Sequence, residues 1–430
     1  MEIVLIIRNP TAGGKMAKKK TKKKTVKKKA KKKRQKALKI PANSGNKKAF
    51  LTLKDGTVFQ GERFGAENDI AGEVVFNTAV VGYQEIITNP SSSGKIIALA
   101  YPEAGGYGVN DEDAESGKAH PAAVITRNVS KIPSSWRAKT GLCEYLKKEN
   151  VPGLTGVDTR ALLRHLKAKG EMYGVISSRP LTKTQVNEKI KPALKESEDG
   201  LAAKAATLKK YKWDRNNTVK GPGIIRKEEK YLRITEKKHN FHVAVIDCGI
   251  KRSFLKIMAS CGFGVTVFPP DAGAEEIKKE GFRGLVVSNG PGNPLNTPYP
   301  AETVKNFLGK IPVLGIGLGC QALGLALGCE TYRMKAGHRG CNHSIKNTQT
   351  GDVEVVLQDH GFALDFDSVE KAGAVVTHIN LNDNTVEGIE ARNKAAFGVQ
   401  YYPQAGPGAH DAPYVFNKFI DYMKKSKGVS

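Results

Sequence analysis

A doubly wound α/β domain built on a parallel sheet, preceded by a smaller folded unit and a lysine-rich tail, is what the sequence predicts, and three observations predict it. From His242 onward, short apolar runs alternate with helical stretches, as expected of parallel strands joined by crossovers on the sheet faces. Within that alternation, Ile311 to Gly328 reads as a buried strand, a glycine-crowded turn and an apolar helix. Such an elbow holds its apex residue in a strained backbone at the carboxyl end of the sheet, beside a helix N-terminus. Charge is also unevenly spread: 17 Lys and 2 Arg against a single Glu in residues 1–48 contribute +18 of the formal +27.

The 430 residues suffice for two or three domains, and 40% hydrophobic content fits a soluble globular protein. No apolar run reaches the roughly 18 residues needed to cross a bilayer, and Met1 to Ile7 is too short for a signal segment, so a cytoplasmic protein without a membrane span is expected. Six cysteines (Cys143, Cys248, Cys261, Cys320, Cys329, Cys341) include no C-x-x-C pair, which argues against a disulfide framework and a zinc site. His338, His343, His360 and His410 show no metal-ligand spacing, and no metal is expected.

In chain order, Lys15 to Lys39 is a low-complexity basic run with no aromatic residues; like-charge repulsion and the lack of burial predict disorder. Residues 15–48 read equally as a non-specific polyanion contact or as a solvated tail. Met16 is an alternative start. Phe50–Leu53 and Thr57–Gly61 flank Asp55-Gly56 as a hairpin. Asp158 and Thr159 are suited to cap a helix running to Ala168. The Lys-rich stretch 201–240, with Gly-Pro-Gly at 221–223, reads as a connection holding one or two short strands. Strands follow at 243–247, 265–268 and 284–287, helices at 251–260 and 274–279, and then the loop Ser288-Asn289-Gly290-Pro291-Gly292-Asn293-Pro294. In such sheets ligands bind beyond the carboxyl ends of the strands, where the elbow lies.

Several blocks carry a family resemblance: Gly72-Glu73-Val74-Val75-Phe76-Asn77-Thr78, Gly82-Tyr83-Gln84-Glu85-Ile86-Ile87-Thr88-Asn89-Pro90-Ser91, the loop 288–294, the elbow Gly315-Ile316-Gly317-Leu318-Gly319-Cys320-Gln321, Gln358-Asp359-His360-Gly361-Phe362, and Phe397 to Asp411. From about residue 50 to 425 the chain resembles the small subunit of carbamoyl phosphate synthetase. That resemblance implies an α/β fold with a doubly wound class I glutamine amidotransferase domain at 241–430, a smaller α+β N-terminal domain at 49–200, a linker at 201–240 and a disordered tail at 1–48. It also implies a large-subunit partner that carries ATP and Mg, no cofactor in this chain, and a product, carbamoyl phosphate, used in pyrimidine and arginine synthesis.

The family cleaves the glutamine side-chain amide by thiolate attack, with a His moving protons and a carboxylate orienting it. The family Cys falls on Gly317, its catalytic His on Tyr402 and its Glu on Gln404. Gly317 cannot form a thioester, a tyrosine of ordinary pKa about 10 is a poor base near neutrality, and Gln404 carries no charge. Loss of glutamine hydrolysis with retention of a structural or regulatory role is therefore expected. Substrate-binding positions carried over by the resemblance are Ser91, Gly290, Gly292, Leu318, Gln321, Asp359, Gly361 and Phe362. Asp359 stands where the family has Asn, so L-glutamine binding is expected to be weakened. Two other readings stand beside this one: a glutaminase using Cys320, about 4.5 Å farther along the helix axis, and a polyanion-binding scaffold working through the tail.

Overall fold

A computed structural model describes residues 47–213 and 241–426. The disorder expected of the basic tail, and most of the expected linker, fall outside the described residues.

The N-terminal strands are β1 (Lys48–Leu53), β2 (Val58–Gly65), β3 (Ile70–Asn77), β4 (Lys95–Leu99), β5 (Glu103–Ala104), β6 (Ala123–Ile125), β7 (Asn128–Val129), β8 (Pro152–Thr155) and β9 (Met172–Ser177). The expected hairpin forms as β1 and β2. Seven strands close into a barrel in the order β1-β2-β8-β6-β4-β3-β9, while β5 and β7 pair separately. Because successive side chains alternate between faces, the strands feed two apolar layers. Val74, Phe76, Ile96 and Ala98 pack with Leu162 and Leu166; Val75, Ile97, Leu99 and Val124 pack with Ile86, Ile87, Leu142 and Leu146. The helix carrying Leu162 spans Thr159–Lys169, and Asp158 caps it by accepting from the Ala161 amide at 2.9 Å.

A second sheet takes ten strands: β10 (Tyr211–Trp213), β11 (His242–Ile246), β12 (Gly264–Phe268), β13 (Gly284–Val287), β14 (Val313–Ile316), β15 (Thr331–Asn347), β16 (Val353–Leu364), β17 (Val375–Asn380), β18 (Val386–Ala391) and β19 (Ala396–Val399). Their order is β10-β12-β11-β13-β14-β19-β18-β17-β15-β16. The five strands from β12 to β19 run parallel, with the helices the sequence predicts between them. Antiparallel strands extend the sheet at both edges. Apolar cores cover both faces, one built on Leu318 to Ala326 and the other on Phe254, Phe416 and Phe419. β10 lies in the stretch read as linker, so this sheet recruits a strand from upstream of residue 214.

The long β15/β16 hairpin reaches the barrel: the Thr78 amide donates to the Arg339 carbonyl at 2.9 Å. Among the described residues no helix is long and apolar enough to cross a membrane.

Candidate functional site

The elbow forms as the sequence predicts. β14 ends at Ile316, the helix spans Leu318–Leu327, and Gly317 between them has φ +56° and ψ −116°. Its amide donates to the Val399 carbonyl at 2.9 Å, which fixes the apex against β19. A Cβ built there would lie 3.3 Å from Asn289 Cβ. The apex thus admits a side chain only if Asn289 gives by a few tenths of an ångström, and the positive φ costs a side-chain-bearing residue about 1–3 kcal/mol besides. Gly290 is required for another reason: a Cβ would sit 2.2 Å from the Cys248 carbonyl oxygen, so only glycine lets the loop approach so closely.

Gly290, Gly292, Leu318, Gln321, Asp359, Gly361 and Phe362 line one cavity beside the elbow. Gln321 Nε2 donates to the Phe362 carbonyl at 2.8 Å, which ties the helix to β16. The eighth expected position, Ser91, is separate from that lining. It is fully buried, and its Oγ accepts from Tyr402 Oη at 3.0 Å and from Asn289 Nδ2 at 3.1 Å.

Tyr402 therefore fills the position to which the resemblance assigns a proton-shuttling His, and it engages Ser91. Burial, and after it the Asp359 charge, push its hydroxyl pKa upward, so the phenol keeps its proton at neutral pH. Lys251 Nζ stands 5.1 Å from the Tyr402 ring centroid and 3.0 Å from Glu115 Oε1, a buried cation held by a carboxylate and an aromatic face. Gln404 is buried, and neither of its amide atoms has a partner. Gly317, Tyr402 and Gln404 lie where the elbow and the 397–411 segment meet, and none of the three is a nucleophile, a base or a carboxylate.

Sequence reasoning missed a cluster of charges in the cavity wall. The Asp359 carboxylate accepts from Asn89 Nδ2 at 2.9 Å, pairs with Lys95 Nζ at 3.2 Å and lies 3.4 Å from Arg339 Nε. Arg339 also pairs with Glu171, and Arg333 with Glu73. Asp359 thus turns toward cations supplied by the barrel and by β15, and neutralises them from inside the chain. Lys95 is 264 residues from Asp359, so no local pattern could have signalled the contact.

Cys320 is buried in the core, against Gly398. Burial first, then Glu387 and Cys329, raise its thiol pKa, the reverse of what activates a nucleophile. The histidines also depart from expectation. Although their spacing gave no metal pattern, the β15/β16 hairpin and β18 bring His338, His360 and Glu387 together, all buried.

Glu85 gives a pH prediction. Its Oε2 is buried without a hydrogen-bond partner, in a small cavity that Lys251 and Tyr402 also line. Burial foremost, with Asp113 and Glu115 adding to it, pushes its pKa from 4.5 up to about 7. Between those values the folded state holds a proton that the unfolded state has lost, so stability falls as pH rises through this window, by about 3 kcal/mol in all. Glu85→Gln is expected to leave stability at pH 4.5 nearly unchanged and to raise it at pH 8 by up to that amount. Urea unfolding at both pH values measures the difference.

Residues 51–176 match the family described as carbamoyl-phosphate synthase small chain, CPSase domain. Residues 244–422 match glutamine amidotransferase class-I. The carbamoyl phosphate synthase small chain of Syntrophotalea carbinolica is 43% identical over 380 residues, covering 88% of this chain and 99% of that protein. The corresponding protein of Aquifex aeolicus is 41% identical over 375 residues, covering 87% and 98%. That of Nostoc sp. is 40% identical over 384 residues, covering 88% and 96%.

Proposed function

The chain belongs to the carbamoyl phosphate synthase small chain family, and from that membership we propose that it pairs with a synthase large subunit without hydrolysing glutamine for it. The observation that carries this reading is the hydrogen bond from Tyr402 Oη to Ser91 Oγ at 3.0 Å, beside an apex that is Gly317. A proton-retaining phenol and a serine it engages stand where amide cleavage needs a base and a free contact to substrate. With no thiolate at the apex, no acyl-enzyme can form there, and a phenol at 402 that keeps its proton cannot act as the base that takes one from a nucleophile or a water.

The remaining cavity is consistent with a binding or regulatory role. Its glycines and Gln321 are in place, while Asp359 satisfies Lys95 and Arg339 internally. Glutamine would bind weakly there, and the ATP- and Mg-dependent chemistry of carbamoyl phosphate formation would reside in the large subunit, fed by free ammonia.

The test is reconstitution of the full chain with a large subunit from the same cells. The expected result is a stable complex that makes carbamoyl phosphate from ammonium but not from glutamine. Synthesis from glutamine at a rate comparable to that from ammonium would overturn the loss of hydrolysis, and failure to co-elute would overturn the partnership.

A further inference from the structure

We propose that His338, His360 and Glu387, with His343 beside them, form a buried site for one divalent cation of the zinc class, pinning β15, β16 and β18 together beneath the cavity. The inference is independent of whether glutamine is hydrolysed.

Three buried side chains whose donor atoms converge within 4.8 Å of one another, with one carboxylate oxygen among them left without a hydrogen bond, carry it. His360 Nδ1 lies 2.9 Å from the Phe362 carbonyl oxygen, which can only accept, so Nδ1 bears a hydrogen, while Nε2 lies 3.2 Å from the side-chain amide of Gln358, whose nitrogen has no other partner and can supply the hydrogen that Nε2 accepts. That Nε2 faces Glu387 Oε2 at 3.8 Å, and Oε2 has no hydrogen-bond partner although Glu387 is fully buried. A bare carboxylate oxygen in the interior is costly unless a cation meets it. The gap is too wide for a charge-assisted hydrogen bond, which closes to about 2.7–2.9 Å. It is near the roughly 3.4 Å that separates two ligands each about 2.1 Å from a tetrahedral metal.

His338 supplies the next donor. Its Nε2 is 2.9 Å from Asp383 Oδ2, the carboxylate support that commonly orients a metal-binding imidazole, and this turns Nδ1 toward Glu387 Oε1 at 3.0 Å, where Asn380 Nδ2 also donates to that oxygen at 3.1 Å and stands 3.3 Å from Nδ1. Donor atoms of His338, His360 and Glu387 all lie within 4.8 Å of one another. His343 adds a buried Nε2 without a partner, on a ring 5.1 Å from that of His338. Imidazole and carboxylate donors in this number suit zinc better than magnesium or calcium, which prefer all-oxygen shells.

The site would hold His360 rigidly, and with it the adjoining Asp359 and Gly361 of the cavity wall. The experiment is to dialyse the full-length chain against a chelator, remove the chelator, and titrate with Zn²⁺ and separately with Co²⁺. One equivalent of either cation is expected to bind, with Co²⁺ giving the intense visible bands of four-coordination. Glu387→Gln and His360→Ala are expected to weaken binding roughly 100-fold or more, while His242→Ala, outside the cluster, leaves it unchanged. Less than one equivalent bound by the unaltered chain, or a weak six-coordinate Co²⁺ spectrum, overturns the site without recourse to any variant. Undiminished affinity in folded Glu387→Gln does the same.

Discussion

The triple substitution Gly317→Cys, Tyr402→His, Gln404→Glu is expected to hydrolyse glutamine at least about four orders of magnitude faster than the unaltered chain, the scale on which triad members act together. The reason lies in what the fold retains. The elbow keeps the apex at φ +56° beside a helix N-terminus, a position that lowers a thiol pKa. A cysteine there would have its Cβ 3.3 Å from that of Asn289, tight enough to cost some stability but not to exclude the side chain. Replacing Tyr402 also releases Ser91 from the phenol. Because the residues act as a unit, Tyr402→His or Gln404→Glu alone should give nothing. Gly317→Cys alone should react with an alkylating reagent yet not turn over. Glutamate release, with folding monitored by circular dichroism, reads all four variants. A triple variant that folds and is alkylated at the introduced thiol but stays inactive would place the defect in the cavity, at Asp359, rather than in the triad.

Arg339→Ala is expected to lose about 3–5 kcal/mol of stability, the usual consequence of stripping one partner from a buried ion pair. Arg339 and Glu171 are each only 3% exposed, and Asp359 is 8% exposed, so the substitution strips a buried guanidinium from both carboxylates and leaves Asp359 with Lys95. The same residue joins the barrel to the hairpin through its carbonyl and Thr78. The loss should therefore appear as a lowered urea midpoint for the whole molecule. Arg339→Ala combined with Glu171→Ala should cost less than the sum of the single changes, since the second removes the charge that the first exposes. Strict additivity would mean that the pair contributes nothing specific.

How far each feature could be read from the chain depended on sequence distance. The elbow, the 288–294 loop and the 358–362 segment are each contiguous in sequence, and the cavity they form was legible. So were the β1/β2 hairpin and the Asp158-capped helix, each set by a few neighbouring residues. The closure of the barrel by β9 on β1 was not, because alternation marks a strand without naming its partner. The long-range polar contacts were equally silent: Tyr402 to Ser91 spans 311 residues, Arg339 to Glu171 spans 168, and His338 to Glu387 spans 49. β10 is one of the short strands expected in the connection, but three residues in a lysine-rich stretch hold too little apolar periodicity to fix its bounds or name its partner.

The most direct measurement is glutamate release from glutamine by the purified full-length chain, alone and with its large subunit, with Cys320→Ser run in parallel. The expected result is release no faster than in buffer, in every combination. Release at rates typical of glutamine-hydrolysing members of the family would contradict the loss of activity, and its disappearance in Cys320→Ser would identify the nucleophile responsible.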